Sequence, residues 1–129
     1  MRYFSVLLAL FLAVGCSYSR ANARLPDAIC NLDHGKQYNF SNTDVLFYSD
    51  QHGNSLAIKD CPDRTYSVDF SKLDIDDERY APLMRQISRN AYLGGGPIPM
   101  TISGTIIIKN DGRIVEAMMI TEIVRYDIS

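Results

Sequence analysis

The chain has few of the residues that most often build chemistry. Its two histidines, His34 and His52, stand far apart on turn-like segments with no third ligand at metal spacing, so both read as surface residues and no metal site is expected. Its three cysteines, Cys16, Cys30 and Cys61, form no Cys-x-x-Cys pair, and no Ser or Cys sits in a G-x-S-x-G turn. Charge of one sign is also scarce. Thirteen Lys and Arg face fifteen Asp and Glu, and the densest like-charged stretch is Asp74, Asp76, Asp77 and Glu78, which excludes the basic footprint of a nucleic-acid binder. Repeats and low-complexity segments are absent. What remains is a balanced chain of 129 residues, 47% hydrophobic, with room for one compact domain.

The longest apolar run is short. Residues 4–14 are apolar except for Ser5, behind the positive Arg2, whereas a membrane span needs about 20 apolar residues. This is the length of a secretory signal's apolar region, and it predicts export. Two processing sites compete. Ala13-Val14-Gly15-Cys16 resembles a bacterial lipobox, in which the cysteine is acylated; Ala21-Asn22-Ala23 is an A-x-A site for the ordinary signal peptidase. The lipobox follows the apolar run directly, while the A-x-A site has Arg20 just before it. The favoured reading is a signal segment and tether over residues 1–23 and a single domain over 24–129, membrane-anchored in the periplasm if Cys16 carries lipid and soluble there if the second site is used. Either cut removes Cys16 as a thiol. Cys30 and Cys61 are then expected to form a disulfide, and closing a loop of that size is worth roughly 3 to 4 kcal/mol.

Periodicity gives three strands, a helix and two strands. Residues 35–50 alternate and then run apolar, suggesting one long or bulged strand; Leu56 and Ile58 mark a second, and Tyr66, Val68 and Phe70 a third. Tyr80, Leu83, Met84, Ile87 and Ala91 make one helical stripe that begins around residues 80–81, since Pro82 fits only a first turn. Asp76, Asp77 and Glu78 lie at the positive end of its dipole, and residues 94–97, Gly-Gly-Gly-Pro, stop it. Met100, Ile102, Ile106 and Ile108 alternate in a fourth strand that Gly104 bends. Asn110-Asp111-Gly112 is a hairpin signal, and residues 114–126 return with Met118, Ile120 and Val124 expected in one phase.

The order β-β-β-α-β-β is that of the OB-fold, a five-stranded Greek-key barrel. The chain also resembles a set of small bacterial exported proteins and lipoproteins of unassigned biochemistry. The likeness rests on Cys30-Asn31-Leu32, on the Gly-Lys and strand of residues 35–40, on Cys61-Pro62 and its strand, and on the Gly104 strand with its hairpin. It departs where Ser41-Asn42 replaces a glycine. The resemblance implies an OB-like fold, a disulfide and an envelope location.

Three functions are weighed on these residues. The first is a non-catalytic envelope protein that binds a protein or glycan partner without a cofactor. The second is a glycan-binding subunit of the toxin-B type, with Tyr and Phe stacking on sugars. The third is a secreted OB-fold nuclease, which would need carboxylates on a cation and an Arg on phosphate; Asp44, Asp50 and Arg64 are its candidates.

Overall fold

The computed structural model describes residues 23–24, 30–33, 35–110 and 114–128. Residues 1–22 of the expected signal segment, Cys16 among them, His34, and the turn at Asp111 and Gly112 lie outside the described residues. Six strands and one helix follow in the order β1 (Ala23–Arg24), β2 (Gln37–Asp50), β3 (Gly53–Ile58), β4 (Thr65–Asp69), α1 (Ala81–Leu93), β5 (Ile98–Asn110) and β6 (Ile114–Tyr126). Strands β2 to β6 close a barrel. β2 pairs with β3, β3 with β4, β4 with β6, β6 with β5, and β5 with β2 again. All of these contacts are antiparallel except β4–β6, where the chain crosses over through α1 before pairing in parallel. This is the OB-fold-like Greek-key barrel expected from the order of elements. β1 adds a parallel rung outside it, with Ala23 opposite Tyr38 and Arg24 opposite Asn39.

Each bend has a local cause. β2 buries Tyr38 and Phe40, then Val45, Phe47 and Ser49, so its inward phase changes from even to odd positions. The pairing with β5 slips between Phe40 and Thr43, where Asn42 adopts a φ of 46°. Asn tolerates this left-handed conformation better than most residues, and the Asn42 amide donates to Ser103 Oγ at 3.1 Å. β6 slips against β5 twice, which leaves Thr121 and Val124 unpaired. The inward series therefore runs Met118, Ile120, Ile123, and Val124 is turned outward at 45% exposure. The expectation that Val124 shares a phase with Met118 and Ile120 is corrected here: each bulge inserts one residue, and one residue reverses the face.

The helix begins where Pro82 allows and stops at Gly94, whose φ is 74° and whose amide donates to the Asn90 carbonyl. A 3-10 turn at Glu78–Tyr80 precedes it; Asp77 Oδ1 accepts the Arg79 amide at 2.9 Å, a bond that holds the Asp77 carboxyl below its ordinary pKa. Tyr80, Leu83 and Ile87 enter the same core as the barrel strands. Ser49 Oγ donates to the Ile87 carbonyl at 3.1 Å, so the helix sits at the C-terminal end of β2. At the other end of that strand, Cys30 and Cys61 form a disulfide with Cα atoms 5.5 Å apart.

Candidate functional site

Two constellations of charged side chains stand out, one by the start of β2 and one at its middle. The first surrounds the disulfide. Arg64, at the start of β4, makes a forked pair with Glu116 on β6: Nη2 donates to Oε1 at 2.8 Å and Nε to Oε2 at 3.1 Å. Its Nη1 donates to the Cys30 carbonyl at 3.2 Å, and both Nη atoms reach the Leu32 carbonyl at 3.4 to 3.5 Å. The guanidinium also lies 5.5 Å from the centre of the Tyr66 ring. Both charged side chains are 21% exposed, so this bidentate pair is far stronger than a surface contact. The Glu116 bonds push the Arg64 pKa upward. With all of these donors committed, Arg64 is a clasp that holds residues 30–32 against the barrel.

The second constellation lines a groove beside the helix end. Asp44 on β2, Thr101 on β5 and Arg125 on β6 are neighbours across three strands. Thr101 Oγ1 donates to Asp44 Oδ1 at 2.7 Å, Arg125 Nε donates to Thr101 Oγ1 at 2.9 Å, and Arg125 Nη2 lies 3.8 Å from Asp44 Oδ1. Thr101 is buried beneath the two charged groups. They border a cleft of about 400 Å3 that Lys59, Tyr126 and Asp127 also line. The Lys59 amide donates to the Asp44 carbonyl at 3.0 Å, which fixes this lysine at the rim. A second cleft of about 530 Å3 shares Pro99 and Asp127 with the first and continues to Arg89, Asn90 and the glycines 94–96. Asn90 is buried; its Oδ1 accepts from Gln86 Nε2 at 2.8 Å and its Nδ2 donates to the Gly96 carbonyl at 3.4 Å. The groove thus offers both signs of charge, the backbone of a glycine loop and one tyrosine, Tyr126, in its wall.

The residues singled out for a nuclease are not brought together by any of these contacts. Asp44 belongs to the groove, Arg64 to the clasp, and Asp50 accepts the His52 amide at 2.7 Å in the two-residue β2–β3 turn. Among the described residues, no three His, Cys, Asp or Glu side chains gather as a metal site would require. Among the described residues, most aromatics offered for sugar stacking are core: Tyr38, Phe40, Phe47, Tyr66 and Tyr80 are buried. The groove residues Thr101, Arg125 and Asp127 carry no sequence signal, because their meeting with Asp44 depends on strand pairing across the barrel. No family model, curated protein or solved structure matches the chain.

Proposed function

We propose that this chain is an exported bacterial envelope protein, cut before Cys16 and anchored there by lipid, whose barrel is a non-catalytic binding module. The observation that carries the reading is the Cys30–Cys61 bridge, since such bonds persist in oxidising compartments. No helix among the described residues is long and apolar enough to cross a membrane, which is compatible with a tether of another kind. The likeness to small exported proteins and lipoproteins noted above supports the same location. Binding falls to the groove between Lys59 and the glycine loop. Its Asp44, Thr101 and Arg125 are hydrogen-bonded to one another, an arrangement suited to holding polar groups of a partner in place.

A glycan is the second reading, favoured by one feature: Tyr92 is 86% exposed, and an exposed aromatic ring can stack on a sugar. Glycan and peptide arrays probed with the mature domain distinguish the two partners. The expected result is capture by one array and at least about tenfold weaker capture by Arg125→Glu, equivalent to about 1.4 kcal/mol, at unchanged melting temperature. Silence on both arrays, or full capture by Arg125→Glu, contradicts the groove as the binding site.

A further inference from the structure

The outward face of α1 and the turn before it carry opposite charge. Arg85 and Arg89 are exposed and lie one turn apart on the side away from buried Leu83, Ile87 and Asn90. Neither has a hydrogen bond or ion pair among the described residues. The same face ends in Tyr92 and Leu93, 86% and 75% exposed. Just before the helix, Asp76 and Glu78 are exposed and have no hydrogen bond or ion pair from their side chains among the described residues, and Ile75 beside them is 40% exposed; Asp77 pairs with Arg79, whose charge Asp74 also attracts. One end of the element therefore presents acid plus an apolar side chain, and the other presents base plus apolar side chains.

We propose that a second copy of this chain covers the face, the two α1 helices lying antiparallel across a two-fold axis. An axis near the middle of the element brings the end of one copy that carries Arg89 and Tyr92 toward the end of the other that carries Ile75, Asp76 and Glu78. The two-fold repeats this approach. Ala81, Pro82 and Ser88 provide short side chains where the helices cross. A parallel arrangement sets each charge against its own kind and loses what the antiparallel one gains. The contact runs along one 13-residue helix, about 20 Å, and the turn before it, which is small for a stable interface, so the dimer is weak and salt-sensitive.

Sedimentation equilibrium of the mature chain tests this. At about 100 µM and low salt the dimer mass is expected, shifting toward monomer as salt is raised. Arg85→Glu with Arg89→Glu, and separately Asp76→Lys with Glu78→Lys, each weaken association at least about tenfold, and mixing the two variants restores a heterodimer. These side chains are exposed, so the melting transition is retained; if a reversal loses it, Arg85→Gln with Arg89→Gln serves instead and still weakens the dimer. A monomer at that concentration, a dimer indifferent to either reversal, variants that stay monomeric when mixed, or a pentameric mass overturns the proposal.

Discussion

Tyr66 is 1% exposed and its hydroxyl has no hydrogen-bond partner among the described residues. An unmet buried hydroxyl costs about 1 to 3 kcal/mol, while the ring is well placed between the core and the Arg64 guanidinium. Burial raises the pKa of this phenol above its ordinary value of 10.0. The unfolded chain therefore ionises first as pH rises, so the folded state keeps its full stability below pH 10.0 and loses it progressively above. Tyr66→Phe is expected to match or exceed the parent by about 1 kcal/mol in urea titration and to lose less stability above that pH. A variant less stable by the same amount would show that the hydroxyl has a partner. Tyr66 was legible in the sequence as an inward strand position, but its unmet hydroxyl was not. Arg64 was read only as a candidate for phosphate, because its true partner, Glu116, lies 52 residues away on another strand.

At the scale of elements, periodicity specified α1 almost to the residue, since its stripe, its Pro82 start and its Gly94 stop are all local features. The strands were harder. Gly104 was expected as a bend, and the reason is close backbone approach: a Cβ there would fall on the Met119 carbonyl oxygen and lie 3.1 Å from Ile120 Cα. Because backbone blocks the space, no side chain can swing away. Gly104→Ala is expected to destabilise the fold by at least about 2 kcal/mol, read as a lower urea midpoint at unchanged slope. A midpoint equal to the parent's would mean that β5 and β6 do not cross as described. The bulges at Thr121 and Val124 escaped the sequence because a bulge is set by the partner strand's register, and alternation read on one strand assumes that none occurs.

Over the whole molecule, the order of elements was enough to specify the barrel, because three meander strands, a crossover helix and a hairpin have few compact closures. The groove was not legible. Asp44, Thr101 and Arg125 come from three strands and meet only once the barrel has closed. The disulfide joins the two ends of a 31-residue separation and, with the Arg64 clasp, secures the chain's entry into the barrel. That bond also bears on where the protein works. The most direct measurement is the intact mass, before and after reduction, of the native protein recovered from fractionated cells. The account predicts a membrane-associated chain that begins at acylated Cys16 and gains two hydrogens on reduction. A full-length chain retaining Met1, dissolved in the cytosol and unchanged in mass by reductant, would contradict it.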